Sequence, residues 1–331
     1  MSKKVVGLAL IAILLAFCGS VDAQQTGKIF RIGFLDNSTA AGIAVFLEAF
    51  RQELSKLGWI EGKNITIEYR FAEQKNDRLP ELAAELVRLK VDLIVTSGGP
   101  TPLVAKKATI TLPIVMINSP DPVAVGLVTS LARPGGNVTG VSGLAPELTS
   151  KRLEVLKDAI PRLSRVGLLR TPGGALGSDP ELQLKELRPA ALALKIKLEE
   201  IVTQIDAKGL ESAFQTAKQK QVGAIMTTTG RRFFAERKRV VELAVKYRLP
   251  AIYPEKGYVD EGGLMSYGAD FDDLYRRAAF YVDKILKGAK PADLPVQQAT
   301  KFEFVINLKA AKQIRLTLSP EFLSRANKVI K

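Results

Sequence analysis

The sequence predicts an α/β protein with two lobes, each a doubly wound parallel sheet with helices on both faces. Apolar strand-like runs alternate with amphipathic helical stretches over residues 29–253. This alternation is typical of parallel strands joined by crossover helices. It forms one array up to about residue 141 and then begins again. The 47% of hydrophobic residues is enough to fill two cores of ordinary size.

Each element of the two arrays follows from its periodicity and its turn residues. In the first array the pattern predicts strands at 29–35, 65–71, 92–96 and 114–117, helices at 42–57 and 77–89, a short helix before the fourth strand, and a closing element near 137–141. In the second array it predicts helices at 147–160, 181–194, 210–220 and 234–247, and strands at 166–169, 197–202, 224–227 and 251–253. The remaining chain adds a strand at 262–268, a helix at 272–286, a strand at 301–306 and a terminal helix capped by Ser319.

Small, polar and turn-forming residues follow the strands of both arrays. They are Asn37-Ser38, Ser97-Gly98-Gly99, Ser119-Pro120-Asp121, Thr171-Pro172 and Thr228-Thr229. Such residues also serve simple turn geometry. Ligands of doubly wound sheets bind at the carboxyl ends of the strands, where helix N-termini and free amides converge. Loops from two lobes therefore predict a shared cleft for a small polar ligand.

The composition argues against an enzyme. The chain has no histidine and one cysteine, Cys18, which excludes histidine-dependent triads and imidazole metal sites. It also lacks the phosphate-loop, HExxH, CxxC and calcium-loop signatures, so we expect no cofactor and no metal. The net charge of +14 is spread over helices that also carry acids. We therefore expect a solvated basic surface and no nucleic-acid partner.

The first 23 residues have the pattern of a secretory signal. Lys3 and Lys4 precede an apolar run at 5–17, and small residues end at Ala23. We expect cleavage after Ala23, since the run is too short to span a bilayer comfortably. Lipid attachment at Cys18 is the lesser alternative, because bulky Phe17 precedes it. The protein is thus predicted to be periplasmic.

Four motifs give the sequence a family resemblance. They are SLARPGGNVTG at 130–140, GLMSYG at 263–268, ILKGAKPADLPVQ at 285–297 and KFEFVINLK at 301–309. With these motifs the chain resembles the substrate-binding proteins of ABC transporters that share the type I periplasmic-binding fold. The resemblance covers essentially all of the chain after residue 23.

This resemblance implies a three-crossing hinge near 141–145, 266–270 and 300–305. The first lobe would then contain residues 24–141 and 268–300, and the second lobe residues 142–267 and 301–331. It also implies a monomer that closes on a small-molecule ligand and is recognised by an ABC permease in the inner membrane, with its ATPase. Family members with known ligands bind aromatic amino acids.

The resemblance also implies the contact residues. From the first lobe these are Asn37, Ser38, Ser97, Gly98 and Asp121, and from the second Thr171, Pro172, Thr229 and Arg231. Relatives commonly carry Asn-Pro and Asp-Pro-Phe-Phe where this chain has Thr171-Pro172 and 230–234. This departure favours a ligand other than an aromatic amino acid. Arg231 or Arg232 would receive its carboxylate, or else the pair is simply a solvated helix start. Tyr253 is a candidate for stacking on a planar ligand, or else a core residue.

Two other functions remain open from the sequence. The same two lobes would serve a sensory protein that presents its ligand to a membrane receptor. The other alternative hypothesis is an exported hydrolase that uses carboxylates such as Asp121 and Glu255. A hydrolase would turn its ligand over, whereas a binding protein releases it unchanged.

Overall fold

The predicted fold class is confirmed. The computed structural model describes residues 28–119, 121–172 and 180–331, which form two α/β lobes, each built on one sheet. The predicted signal at 1–23, with Cys18, lies outside the described residues, as does Pro120. Within the described ranges, no helix has the length and apolarity needed to cross a membrane.

The first lobe is built on a six-stranded parallel sheet. Its strands are β1 (Phe30–Asp36), β2 (Ile65–Phe71), β3 (Leu93–Ser97), β4 (Ile114–Ser119), β5 (Val138–Ser142) and β11 (Gln297–Gln298). They lie in the order β11-β5-β4-β3-β1-β2, and every pair is parallel. Its helices are α1 (Ala44–Lys56), α2 (Leu79–Arg88), α3 (Thr101–Ala108) and α10 (Phe271–Leu286). The central strands β3 and β4 are buried throughout, which explains the apolar runs with which they begin.

The second lobe is built on a seven-stranded mixed sheet. Its strands are β6 (Arg165–Arg170), β7 (Lys197–Val202), β8 (Ala224–Thr227), β9 (Ala251–Tyr253), β10 (Met265–Ala269), β12 (Phe302–Asn307) and β13 (Lys328–Ile330). They lie in the order β13-β12-β10-β9-β8-β6-β7, and β10 and β12 pair antiparallel. Its helices are α4 (Ala145–Ala159), α5 (Pro180–Ala193), α6 (Ala207–Gln219), α7 (Arg231–Ala235), α8 (Arg237–Lys246), α9 (Gly257–Asp260), α11 (Leu308–Gln313) and α12 (Pro320–Ser324).

The region predicted as one helix at 234–247 is instead two helices that meet at Glu236. Glu236 has φ −97° and ψ 18°, outside the helical range. The Arg237 side chain donates a hydrogen bond of 3.3 Å to the carbonyl of Phe234, and its guanidinium lies over the Phe234 ring. This contact occupies a carbonyl near the helix break. The predicted Ser319 cap is confirmed, since its hydroxyl accepts from the Phe322 amide at 3.1 Å.

The chain passes between the two sheets three times: from β5 to α4, from β10 to α10 and from β11 to β12. Two motif glycines allow close backbone packing beside these passages. A Cβ on Gly140 would lie 2.1 Å from the Met116 carbonyl oxygen, and one on Gly268 would lie 1.8 Å from that of Pro254. Any larger residue at either position would push the neighbouring backbone away.

One hydrophobic cluster continues from the first lobe into the second. The Phe46 ring of α1 lies 5.5 Å from the Phe234 ring of α7 and 5.3 Å from the Tyr275 ring of α10. Burying each such large side chain contributes about 1.5–3 kcal/mol. The lobes thus meet through apolar packing on one side, which shields the neighbouring polar groups from water.

Candidate ligand-binding site

Strand ends of the two sheets face each other across the space between the lobes. Strands β1 and β3 end at Asp36 and Ser97, and β8 is followed by the turn that leads to Arg231. Arg231 Nη2 donates to Ser97 Oγ at 3.2 Å, which joins the two lobes. The fold therefore brings polar residues from both lobes together, as expected for doubly wound sheets.

Arg231, the first residue of α7, lies at the centre of this contact and is 6% exposed. Its Nη2 also donates to the Tyr275 hydroxyl at 3.1 Å. Its guanidinium carbon lies 5.2 Å from the Phe46 ring centre and 5.1 Å from that of Phe271. Among the described residues, its Nε and Nη1 have no hydrogen-bond partner. A buried arginine thus keeps two donor groups unused.

Two buried carboxylates lie near Arg231. Asp36 is fully buried, and its Oδ1 accepts from the Ser38 amide at 2.6 Å. Glu255 is 5% exposed, and its Oε2 lies 3.9 Å from Arg231 Nη1. Within the described part of the chain, Asp36 Oδ2 and Glu255 Oε2 accept no hydrogen bond.

Burial shifts the protonation of both carboxyl groups. Burial raises the pKa of Asp36 to about 6, although the charge of Arg231 opposes the shift. Burial also raises the pKa of Glu255 to about 7, against the opposing charges of Arg231, Arg152 and Arg237. Both groups therefore change charge near neutral pH.

Arg152 is a second buried arginine, and it belongs wholly to the second lobe. It is 1% exposed and lies on α4. It donates to Thr149 Oγ1 at 2.6 Å, to Thr229 Oγ1 at 2.9 Å and to the Tyr267 carbonyl at 3.2 Å. Burial lowers its pKa to about 10, while Glu255 opposes the shift. Arg152 thus holds the loop after β8 in place.

Gln183 of α5 fixes the same loop from its other side. Its Oε1 accepts from the Thr229 amide at 2.8 Å, and its Nε2 donates to the Thr229 carbonyl at 3.0 Å. Thr229 is therefore held by its backbone and by its side chain. The turn that leads to Arg231 is correspondingly well defined.

The structure brings six of the ten predicted site residues together, namely Arg231 itself and five residues close to its network. Ser97 contacts Arg231 directly, and a Cβ on Gly98 would lie 3.7 Å from Arg231. Thr229 binds Arg152. Asn37 and Ser38 are buried next to Asp36, and Asn37 Oδ1 has no hydrogen-bond partner among the described residues.

Four other predicted residues are not brought into contact with Arg231 within the described ranges. Asp121 Oδ1 accepts from the amides of 123 and 124 and so forms a local turn. Thr171 is half-buried and Pro172 exposed, and both adjoin residues 173–179, which lie outside the described ranges. Tyr253 is fully buried and stacks on Tyr258 with ring centres 4.6 Å apart, so it packs as a core residue.

Sequence reasoning missed four residues of the network: Asp36, Arg152, Gln183 and Tyr275. Asp36 ends the first strand, so its position at a strand end was a usable signal. The other three lie on helices, where polar residues are usually solvated. Their inward orientation depends on how the helices pack, which the sequence pattern leaves undetermined.

Two lobes that join polar strand ends across a common space are typical of bilobed solute-binding proteins. A family model described as ABC transporter substrate binding protein matches residues 41–330, and the chain belongs to this family. The resemblance predicted from the motifs is confirmed.

Comparisons with individual proteins agree with this assignment. The chain is 25% identical to the tyrosine-binding protein of Clostridioides difficile strain R20291 over 326 residues, 95% of this chain and 92% of that protein. A conserved domain protein of Vibrio cholerae O1 biovar El Tor has a similar structure, with 27% identity and a TM-score of 0.84 over 91% of this chain and all of that one. An ABC domain from Streptococcus pneumonia in complex with L-Trp gives 26% identity and a TM-score of 0.82 over 91% and 99%.

Proposed function

We propose that this protein is the extracytoplasmic substrate-binding component of an ABC importer and that it binds an amino acid or a similar zwitterion between its lobes. One observation carries the proposal. Buried Arg231 has two donor groups without hydrogen-bond partners, while buried Asp36 and Glu255 each have an unpartnered oxygen. A ligand with one carboxylate and one ammonium group matches this arrangement.

The energetics favour such a ligand. A buried polar group without a partner costs about 1–3 kcal/mol. A ligand carboxylate that accepts from Arg231 Nη1 or Nε would form a charge-assisted pair. Its ammonium group would donate to Asp36 Oδ2. One small molecule would then supply hydrogen bonds to groups that have none within the protein alone.

Ligand binding and lobe closure are coupled in this scheme. Asp36 belongs to the first lobe and Arg231 to the second, so a ligand contacts both only in the closed form. Binding therefore shifts the equilibrium towards closure. A permease with its ATPase would recognise the closed form and accept the ligand from it.

The relatives support an amino acid as the ligand. One is a tyrosine-binding protein, and another was solved with L-Trp. The different residues at 171–172 and 230–234 of this chain favour a ligand with another side chain.

We further propose the location, the lobe boundaries and the monomeric state that the resemblance implies. The protein would be exported after cleavage of residues 1–23 and would form no stable oligomer. Its first lobe would contain residues 24–141 and 268–300, and its second lobe residues 142–267 and 301–331.

A thermal-shift screen of L-amino acids, nucleosides and organic acids tests the proposal. A ligand that binds the native state at a hundred times its Kd adds about 2.7 kcal/mol of stability and so raises the Tm. We expect at least one L-amino acid to raise the Tm and to be recovered unchanged by mass spectrometry. A Tm rise with nucleosides alone would contradict the proposal, and chemical conversion of the ligand would point to an enzyme.

A further inference from the structure

The loops that precede strands β1–β5 lie together at one edge of the first lobe, here called the first-lobe pole. They comprise residues 28–29, 57–64, 89–92, 109–113 and 133–137. Because these five strands are all parallel, their amino ends share this edge, and their carboxyl ends face the second lobe. Strand β1 has 7 residues, so roughly 20 Å separate the pole from Asp36 at about 3.3 Å per residue. The first-lobe pole is therefore distinct from the space between the lobes.

Hydrogen bonds between these loops make the first-lobe pole one surface. Asn137 Nδ2 donates to the carbonyls of Thr109 at 3.0 Å and Leu112 at 2.9 Å. The Leu112 amide in turn donates to Thr109 Oγ1 at 3.1 Å. On the other side of the pole, the Asp92 carboxylate accepts from the Arg31 amide at 2.7 Å. The turn before β4 is thus fixed on both sides.

This fixed turn holds an apolar side chain in solvent. Ile110 lies within it and is 87% exposed, more than any other large apolar side chain in the described ranges. Asn137, which fixes the turn, belongs to the SLARPGGNVTG motif at 130–140, a motif with no described contact to the Arg231 network. Ile29 and Ile60 are 58% and 42% exposed in neighbouring loops of the pole. Isoleucines on separate, fixed loops thus project from the same edge of the sheet.

Cations without ion-pair partners accompany these isoleucines. Five of them lie in the loops of the pole or in the last helical turns before those loops: Lys63, Arg88, Lys90, Lys107 and Arg133. None of the five forms an ion pair with another described residue. The two acids of these loops are already paired, Glu61 with Arg51 at 3.6 Å and Asp92 with Lys28. The first-lobe pole is therefore positively charged.

Two of these cations flank an apolar groove between α2 and α3. The groove has a volume of about 470 Å³, and Val87 and Val104 are among its apolar walls. Arg88 and Lys107 are the charged residues that line it within the described part of the chain, and both are exposed. An anionic headgroup placed between these two cations would therefore lie next to apolar surface.

We propose that the first-lobe pole binds the surface of a bilayer that contains anionic lipids. Ile110 enters the interface between headgroups and acyl chains, and Arg88 and Lys107 attract the lipid phosphates. The exposed isoleucines favour a bilayer over an acidic protein, because single side chains on separate loops can insert between headgroups without forming a continuous apolar patch. This surface goes beyond the proposed function and does not depend on the ligand that binds between the lobes.

Sedimentation of the exported form, residues 24–331, with phosphatidylglycerol vesicles tests this surface. Residues 1–23 are left out because their apolar run would bind lipid by itself. We expect binding to phosphatidylglycerol that weakens as salt is added, since exposed charges are screened, and no binding to neutral phosphatidylcholine vesicles. Equal sedimentation with the two lipids, or no binding to phosphatidylglycerol at low salt, would overturn the proposal.

A pair of apolar variants locates the inserted side chain. Ile110→Ser should weaken binding to phosphatidylglycerol vesicles by about tenfold, because the buried apolar area is lost. The matched control is Leu192→Ser, which removes a leucine that is 81% exposed on the second lobe and should leave vesicle binding unchanged. Wild-type binding by Ile110→Ser, or equal losses in the two variants, would contradict insertion at the pole.

A pair of charge variants locates the electrostatic contact. The double variant Arg88→Gln with Lys107→Gln should weaken vesicle binding by at least about tenfold. Its control is Lys218→Gln with Arg248→Gln, two exposed cations of the second lobe, and we expect a change of less than about twofold. Equal losses in the two double variants would overturn the proposal. Binding of poly-glutamate without any binding to vesicles would assign the pole to an acidic protein and would also overturn it.

The first-lobe pole and the amino-acid site can fail independently. Ile110→Ser should leave the affinity for an amino acid from the screen unchanged, because roughly 20 Å of strand separates the two surfaces. Absence of any amino-acid ligand would refute the proposed function alone. Loss of vesicle binding on addition of that amino acid would instead place the lipid contact between the lobes and overturn the role of the pole.

Discussion

The two lobes bring different chemistry to the space between them. The first lobe contributes mainly acceptors: the Asp36 carboxylate and the hydroxyls of Ser97 and Tyr275. The second lobe contributes the two buried arginines, Arg152 and Arg231, together with Glu255. Closure therefore places a cation of one lobe against acceptors of the other. This difference suits a ligand with opposite charges at its two ends.

The two buried arginines, Arg152 and Arg231, differ in the lobe to which they donate hydrogen bonds. Arg152 donates only to groups of its own lobe. Arg231 donates to Ser97 and Tyr275 of the opposite lobe. Burial opposes the charge of Arg231, yet Tyr275, Glu255 and Asp36 together raise its pKa. We therefore expect Arg152 to stabilise the second lobe and Arg231 to act in ligand binding and closure.

Arg152→Ala should have the largest effect, a loss of stability. This change removes three hydrogen bonds and leaves buried partners unpaired, so we expect the free energy of unfolding to fall by about 2–4 kcal/mol. Urea denaturation measures it. The control is Arg325→Ala, which breaks an exposed ion pair and should cost about 0–1 kcal/mol. Equal losses in the two variants would contradict the structural role of Arg152.

Arg231→Gln should mainly affect binding. Loss of the charge-assisted pair should weaken amino-acid binding by about 30- to 100-fold, which corresponds to about 2–3 kcal/mol. Calorimetry measures the affinity, and Arg325→Gln is the matched control. If Arg231→Gln bound the ligand as wild type does while Arg152→Ala did not, the roles of the two arginines would be reversed.

Glu255 should make stability depend on pH. Its folded pKa of about 7 exceeds the ordinary value of 4.5, so the folded protein binds more protons than the unfolded chain between these pH values. The free energy of unfolding should therefore fall as pH rises through this range, by on the order of 2 kcal/mol. The facing groups are Arg231, Arg152, Arg237 and Tyr258.

Urea denaturation of the wild type and of Glu255→Gln at pH 4.5–7 tests this dependence. The free energy of unfolding of the variant should depend less on pH than that of the wild type. Asp36, whose pKa is raised to about 6, should account for the decrease that remains. A wild-type protein that gained stability over this range relative to the variant would show that Glu255 is ionised and well paired.

Tyr275→Phe should have the smallest effect. The Tyr275 hydroxyl forms a hydrogen bond of 2.6 Å with Ser97 Oγ and accepts one from Arg231. When this hydroxyl is removed, Ser97 and Arg231 still form a hydrogen bond with each other. We expect a loss of about 1 kcal/mol in ligand affinity, measured by calorimetry, and little change in Tm. A loss as large as that of Arg231→Gln would mean that Tyr275 itself contacts the ligand.

The sequence predicted the fold better than the site, for a physical reason. Strands such as β3 and β4 begin with three or four apolar residues because both faces of their sheet are covered, and this pattern is visible in sequence. Short strands such as β11 and β13 span only two or three residues, so they have no periodicity from which the sequence could predict them. Polar residues at strand ends, such as Ser97, could be predicted from that position.

The helical members of the site could not be predicted in this way. Arg152 and Gln183 occupy helices among charged neighbours, where solvent exposure is the usual outcome. Only the packing of α4 and α5 on the sheet turns these side chains towards Thr229. Tyr253 shows the converse limit: its place at a strand end was compatible with a ligand contact or a core position, and its ring stacks on Tyr258.

The most direct test compares an amino acid identified by the screen with its α-hydroxy acid, in which a hydroxyl replaces the ammonium group. Calorimetry on the wild-type protein gives both affinities. If Asp36 and Arg231 hold opposite ends of a zwitterion, the hydroxy acid should bind at least about 10-fold more weakly, since a charge-assisted bond is lost. Equal affinities would show that the carboxylate alone is recognised and would contradict the account.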